Sequence, residues 1–235
     1  NEAGQLGNNN SNNVSKPTRV GTDSDWLKIA AGQSYTIALK QNGTIWSWGS
    51  NSYGELGYQT DKAFPNPTPR KIGADADWKD ISTGGYNAAI KQSGALWVWG
   101  QGVLGLTGEK SKWLQVPGLD WQTVNVGNNQ GFAVSSKGGW YGWGVDILFN
   151  DDTITTTATT TKTTTATTTT SVNYVPPTKP FQITGQWAVL IAGYDYAYGV
   201  KVDGSLWGWG KNSLGELGSG TFEDIEVPTQ VWKIK

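Results

Sequence analysis

Apolar and polar residues alternate over short runs along this chain, and no stretch sustains the 3.6-residue period of a helix. The runs Thr36–Lys40 and Ala88–Lys91 are typical of strands, and Asn42-Gly43 follows the first of them. Asn-Gly between two apolar runs predicts a hairpin with a type I′ turn, which needs positive φ at both central residues. The same turn position recurs at Ser93-Gly94, Lys137-Gly138 and Asp203-Gly204. We therefore expect an essentially all-β chain.

A Trp-x-Trp-Gly pattern follows these predicted turns and recurs along the chain. Its copies are Trp46–Gly49, Trp97–Gly100, Trp207–Gly210 and an altered copy, Tyr141–Gly144. Residues two apart in a strand share a face, so each aromatic pair should lie on one side of its sheet. Self-similarity at this length indicates a repeat architecture. The chain is expected to be a single array over 1–235, with four complete cores closing near 49, 100, 144 and 210 and partial units at 1–16 and 211–235.

One segment interrupts the array. Residues 151–172 are dominated by threonine. A composition of this kind fits an O-glycosylated spacer, an extended arm that pairs with a neighbouring subunit, or a flexible insertion in a loop. The sequence leaves these three interpretations open.

Several motifs together resemble the regulator of chromosome condensation repeat. They are Gly4-Gln-Leu-Gly7, Trp26-x-x-Ile-Ala-Ala-Gly32, Ala38-Leu-Lys40, Gly43-Thr-Ile-Trp-Ser-Trp-Gly49 and Asn51-x-x-Gly-Glu-Leu-Gly57. The resemblance covers nearly the whole chain except about 145–183, and it implies a β-propeller of four-stranded blades. It implies less about function, because one fold serves many functions. Within the family, we expect the bacterial or phage-like surface and secreted branch.

Composition narrows the function classes. The formal net charge is −1 and there are only two arginines, Arg19 and Arg70. This balance disfavours nucleic-acid binding, and it disfavours the family's chromatin-bound exchange factor and its arginine-dependent ultraviolet photoreceptor. The chain has no Cys and no His, which removes thiolate nucleophiles and the commonest general base and zinc ligand. We expect no enzyme activity, no cofactor, no metal and no membrane insertion.

Two carboxylate pairs precede repeat tryptophans, at Asp23-x-Asp25 and Asp75-x-Asp77. Such spacing could offer oxygen ligands to Ca²⁺, but loop aspartates more often cap backbone N–H groups. The acidic residues Asp151-Asp152 and Glu223–Glu226 are expected to be solvated loop charge.

Aromatic residues supply the remaining candidates. Tyrosine is enriched in binding patches, so exposed loop tyrosines are the candidate protein contacts: Tyr35, Tyr53, Tyr86, Tyr194 and Tyr196. Tryptophans of the repeats are assigned to the blade cores: Trp26, Trp46, Trp48, Trp78, Trp97, Trp99, Trp121, Trp143, Trp187, Trp207 and Trp209.

These features predict a non-enzymatic structural or protein-binding module in an extracellular, cell-surface or virion assembly, whose partners are other protein subunits of the same or a different chain. The first alternative is a secreted inhibitor, or a regulator that presses one propeller face on an enzyme or GTPase. The second alternative is a glycan-binding module. The two ends duplicate the Gly-x-Leu-Gly motif, at Gly4–Gly7 and Gly215–Gly218. We therefore expect an arc that is cut from, or assembled with, more protein.

Overall fold

The computed structural model describes residues 1–61, 63–100, 112–118, 120–144 and 180–232. These residues contain four antiparallel sheets of four strands each, and no helix occurs in them. Within each sheet, every strand pairs with the strand that follows it in the chain, so each sheet is a simple meander. The all-β prediction with four complete cores is confirmed.

The first two sheets lie in the first half of the chain. Sheet 1 contains β1 (Trp26–Ala31), β2 (Tyr35–Lys40), β3 (Ile45–Gly49) and β4 (Arg70–Lys71). Sheet 2 contains β5 (Trp78–Thr83), β6 (Tyr86–Lys91), β7 (Leu96–Gly100) and β8 (Leu114–Val116).

The other two sheets follow the same plan. Sheet 3 contains β9 (Trp121–Val126), β10 (Gln130–Ser135), β11 (Trp140–Gly144) and β12 (Phe181–Ile183). Sheet 4 contains β13 (Trp187–Ala192), β14 (Tyr196–Lys201), β15 (Leu206–Gly210) and β16 (Ile225–Trp232).

The hairpins between second and third strands lie where the sequence places them, but the predicted turn type is wrong. Gly43 has φ +74°, whereas Asn42 is not among the residues with positive φ. The Gly43 N–H donates to the Lys40 carbonyl and the Lys40 N–H to the Thr44 carbonyl, both at 2.9 Å. This is a three-residue loop closed by a left-handed glycine, so only one residue needs positive φ.

Consecutive sheets pack face to face. Ile37 and Leu39 of sheet 1 are fully buried against Trp78, Ile81 and Trp99 of sheet 2. Equivalent clusters join sheet 2 to sheet 3 and sheet 3 to sheet 4. Because a middle sheet is covered on both faces, its second strand is buried almost throughout, and the polar/apolar alternation of a half-exposed strand is lost.

The repeat tryptophans lie in or beside these interfaces. Seven are buried: Trp48, Trp78, Trp99, Trp121, Trp143, Trp187 and Trp209. Four are half-buried: Trp26, Trp46, Trp97 and Trp207. Sequence reasoning missed Trp113, which stacks on Trp99 with ring centroids 3.8 Å apart and donates its Nε1–H to the Gly57 carbonyl.

The chain ends pack on the first and last sheets. In the predicted partial unit at 211–235, β16 pairs with β15 and is the fourth strand of sheet 4. At the other end, residues 1–8 pack on sheet 1, where the Gln5 carbonyl accepts hydrogen bonds from Trp48 Nε1 and Thr36 Oγ1. The predicted insertion 151–172 lies outside the described residues, as do residues 233–235.

Candidate functional site

Four loops from four different sheets line one cavity. In each sheet the loop between the first and second strands reaches the same end of the stack: residues 32–34, 84–85, 127–129 and 193–194. With residues 50–55 they line a cavity of about 730 Å³, which we call the axial cavity. Its lining therefore depends on all four sheets.

Glycine allows these loops to approach one another. A Cβ on Gly127 would lie 1.9 Å from the Gly193 carbonyl oxygen, and a Cβ on Gly84 would lie 2.3 Å from that of Gly127. No side chain fits at such distances. The glycine that follows the first strand of each sheet is therefore required for packing.

Polar contacts join the loops of neighbouring sheets. The Gly85 N–H donates to the Gly127 carbonyl at 2.9 Å, and Asn129 Nδ2 donates to Asp195 Oδ1 at 2.9 Å. On the other side, the Tyr35 and Thr83 hydroxyls share a short hydrogen bond. These contacts hold the cavity rim as one connected surface.

Glu55 is the only charged residue among the described residues that line the axial cavity. Its Oε2 accepts a hydrogen bond from the Tyr53 N–H at 2.8 Å, and its Oε1 lies 3.5 Å from Ser50 Oγ. The lining is otherwise neutral and rich in amide and hydroxyl groups, including Gln33, Asn128 and Asn129. Such amide and hydroxyl groups can both donate and accept hydrogen bonds, so the lining suits a polar partner.

The candidate contact tyrosines divide into two groups. Tyr35 and Tyr86 are 4% and 3% exposed, so the expectation that they are exposed is wrong. Burial raises the pKa of both phenols, and Tyr86 accepts the Trp143 Nε1–H at 2.9 Å. Tyr53 and Tyr194 are 49% and 67% exposed and line the axial cavity.

Tyr196 falls between these groups. It is half-buried and packs edge-on against Tyr198, with ring centroids 6.0 Å apart. Its backbone carbonyl accepts a hydrogen bond from Gln130 Nε2. The structure therefore gives Tyr196 contacts within the fold rather than a place on the open rim.

The repeated aspartate pairs bind lysines. Lys40 Nζ lies 2.5 Å from Asp23 Oδ2 and 3.0 Å from Asp25 Oδ1, and it sits 4.7 Å above the ring centroid of Trp26. The same arrangement joins Lys91 to Asp75 and Asp77 above Trp78. The lysine thus stands where a cation would bind, and this role replaces the calcium alternative.

The acidic loop residues predicted at 223–226 lie in the described part of the chain. Asp224 pairs with Lys211 at 2.7 Å, and Asp151-Asp152 lie outside the described residues. Sequence reasoning missed Gln33, Ser50, Glu55, Asn128 and Asn129 as lining residues. The available signal was the glycine that begins each of these loops, because it recurs in all four units.

Comparison with known proteins identifies the repeat. The family described as "Regulator of chromosome condensation (RCC1) repeat" matches residues 1–39, 42–90 and 203–234, and a second model with the same description matches 26–55. The ultraviolet-B receptor UVR8 of Arabidopsis thaliana is 25% identical over 97% of this chain and 51% of its own length. The chain therefore spans about half of this curated relative.

Solved structures show the same fold. Human WBSCR16 superposes with a TM-score of 0.73 at 21% identity, over 98% of this chain and 60% of that one. Prp20p of Saccharomyces cerevisiae gives 0.73 at 19% identity, over 92% and 53%. A helix long and apolar enough to cross a membrane is not found among the residues described.

Proposed function

Because the chain belongs to the Regulator of chromosome condensation (RCC1) repeat family, we propose that it is a non-enzymatic module that binds another protein at the rim of its axial cavity. The observation that carries this proposal is the pair of exposed tyrosines at the cavity: Tyr53 comes from sheet 1 and Tyr194 from sheet 4. Tyrosine supplies rigid contact area at low entropic cost and is enriched at binding hot spots.

The chemistry of the lining defines the partner. Glu55 and the amide groups of Asn128 and Asn129 offer acceptors, and no basic side chain lines the cavity among the described residues. The partner element is a protein loop that places a lysine, an arginine or backbone N–H groups in the cavity. The lack of His and Cys in the sequence supports a binding role over acid–base or covalent catalysis.

Site-specific photo-crosslinking tests this proposal. The crosslinker p-benzoylphenylalanine is placed at position 53 or 194, and at position 222 as a control, because Phe222 is 71% exposed and does not line the cavity. We expect one partner to be captured at 53 and 194 but not at 222. With that partner purified, Tyr194→Ala should weaken binding by tenfold or more, as expected for an aromatic hot spot, while Phe222→Ala should not. Equal capture at all three positions, or unchanged affinity of Tyr194→Ala, would refute the rim as the binding surface.

We further propose that the module works in an extracellular, cell-surface or virion assembly. The support is in the sequence: a threonine-rich segment over 151–172, no Cys and a near-neutral charge. Mass spectrometry of purified particles and surface fractions from the source organism tests this location. Recovery of the chain only from the cell interior would overturn it.

A regulator is the second candidate, and one observation favours it. Prp20p, whose fold this chain shares, has binding properties toward Gsp1p and histones, so the fold can serve to bind other proteins. Identification of the partner captured at position 194 separates the two candidates: a soluble regulatory protein supports this role, and an assembly subunit supports the first.

A further inference from the structure

The fourth sheet carries an apolar groove on the face turned away from the third sheet. The groove has a volume of about 260 Å³ and is lined by Val189, Ile191, Tyr198, Val200 and Leu206. Strand register makes Tyr198 and Val200 the equivalents of Ile37 and Leu39 in sheet 1. Those two residues are fully buried by sheet 2. The groove is therefore the surface that one sheet of this fold presents to the next.

A preformed loop borders this groove. In residues 212–218 the Leu217 N–H donates to Asn212 Oδ1 at 2.9 Å, as Leu56 donates to Asn51 at 3.0 Å in residues 51–57. The two loops have the same sequence pattern and the same internal hydrogen bonds. We call them the first loop (51–57) and the second loop (212–218).

Elsewhere in the chain, this kind of loop binds a tryptophan. The Glu55 carbonyl of the first loop accepts the Trp99 Nε1–H at 2.9 Å, and the Gln5 carbonyl accepts that of Trp48 at 2.8 Å. In the second loop the equivalent carbonyl, of Glu216, accepts the hydroxyl of Tyr198 instead.

The space beside the last glycine of each loop also depends on whether a tryptophan is bound there. A Cβ on Gly7 or Gly57 would lie 2.7 Å or 3.1 Å from the bound indole, whereas a Cβ on Gly218 would meet none of the described residues within 4 Å. The second loop thus has an acceptor and open space where the other two have a tryptophan.

The complementary surface lies on sheet 1. Ile29 is 66% exposed, whereas its register equivalents Ile81, Val124 and Leu190 are 0%, 6% and 1% exposed in the interfaces between sheets. Ile29 also lines a cavity of about 550 Å³ beneath residues 5–20, so that segment covers it incompletely. Sheet 1 therefore exposes the apolar residue that the other sheets insert against their neighbours.

We propose that the open face of sheet 4 binds, in a second copy of this chain, the face of sheet 1 that residues 5–20 incompletely cover, and that it displaces this segment. In this contact the Glu216 carbonyl replaces the Gln5 carbonyl as the acceptor for Trp48, and the Gly215–Gly218 segment takes the place of Gly4–Gly7. The contact continues the packing that already joins sheets 1 to 4. Its two surfaces are different, so copies associate head to tail and form a closed ring or an open chain. The proposal goes beyond the binding function and uses neither Tyr53 nor Tyr194.

Sedimentation velocity over a range of concentrations tests the two faces separately. Ile191→Lys places a charge in the groove, and Ile29→Lys places one on the opposite surface. Val202→Lys is the matched control, because Val202 is 65% exposed and lies outside the groove. We expect the wild type and the control to gain mass with concentration. Ile191→Lys and Ile29→Lys should each remain monomeric, with the dissociation constant for self-association raised at least tenfold.

A mixture of the two variants gives the decisive result. Ile191→Lys keeps an intact sheet 1 face and Ile29→Lys keeps an intact sheet 4 face, so together they should form a one-to-one dimer and stop. If Ile29→Lys associated on its own, sheet 4 of one copy would be pairing with sheet 4 of another copy. That result would overturn the proposal. A wild type that stays monomeric, or a mixture that forms no dimer, would overturn it as well. Circular dichroism checks folding, and Val189→Lys replaces Ile191→Lys if that variant does not fold.

Discussion

At the scale of single residues, Lys40 shows how the repeats use a charged side chain inside an apolar stack. Its Nζ contacts Asp23 and Asp25 and lies within 5 Å of the ring centroids of Trp26 and Trp46, at 4.7 and 4.8 Å. A cation above an aromatic ring is stabilised by the ring quadrupole, and the two carboxylates keep it charged. Lys91 repeats this arrangement, and Lys201 lies above Trp187 and Trp207.

Replacing Lys40 by methionine should remove these contacts while keeping the apolar stem. We expect Lys40→Met to lower the free energy of unfolding by roughly 1–2 kcal/mol, since the aspartates are half-exposed and their ion pairs are screened. Urea unfolding measures this change. Lys137→Met is the control, because Lys137 is exposed in a turn of sheet 3; an equal loss there would contradict a specific role for Lys40.

The same contact has a pH dependence. The hydrogen bond to Asp23 raises the pKa of Lys40, so its contribution is complete below the unfolded pKa of about 10.4 and is lost as pH rises through the folded value. The stability difference between wild type and Lys40→Met should therefore narrow above about pH 10.4.

At the scale of elements, the second loop, which follows β15 in sheet 4, is held by one buried side-chain amide. Asn212 is 0% exposed, its Oδ1 accepts the Leu217 N–H, and its Nδ2 donates to the carbonyls of Thr221 and Glu223 at 2.9 and 3.0 Å. The amide thus connects the start of the second loop to the segment that leads into β16. This connection fixes where the Glu216 carbonyl lies.

Asn212→Ala should destabilise the protein by about 1–3 kcal/mol, because it leaves the buried Leu217 N–H without its acceptor and removes the donor to the Thr221 and Glu223 carbonyls. Asn212→Asp keeps the acceptor but sets a buried carboxylate against the Thr221 and Glu223 carbonyls, so its loss should be at least as large. Thermal or urea unfolding of both variants checks the order. A loss for Asn212→Ala below about 0.5 kcal/mol would mean that water replaces the amide.

The sequence predicted the positions of strands and hairpins better than it predicted turn type, side-chain burial and the contacts between sheets. Asn42-Gly43 located a hairpin, yet the turn has three residues because Lys40 pairs with Thr44 across it. Tyr35 and Tyr86 looked exposed because they flank loops, and the packing of each against the neighbouring sheet buries them. The axial cavity depends on contacts such as Gly127 with Gly193, which join residues far apart in sequence. The recurring glycine marks these loops, but it does not show that they meet.

At the scale of the whole molecule, stability should follow position in the stack. Sheets 2 and 3 are each covered on two sides, whereas sheet 4 has an open groove. In a repeat array the stability of each unit depends on its own folding and on its interfaces with neighbours. The end sheets have fewer such interfaces than the middle sheets.

Native-state amide hydrogen exchange should reveal this gradient. We expect the amides of β6 (Tyr86–Lys91) to exchange at least tenfold more slowly than those of β14 (Tyr196–Lys201), because local opening costs less at an end. The Ile29→Lys variant is the sample of choice, since association would protect β14. Equal protection of both strands would show that the four sheets unfold as one cooperative unit.

The pairing of β11 with β12 has a consequence for how this chain can change. Gly142 lies opposite Phe181 in sheet 3, so the chain between these two residues joins two adjacent, paired strands. The entropy of closing such a connection grows only with the logarithm of its length, by about 0.6 kcal/mol for each doubling. Evolution or an engineer can therefore lengthen, shorten or replace this segment, even with a foreign domain, at little thermodynamic cost to the four sheets.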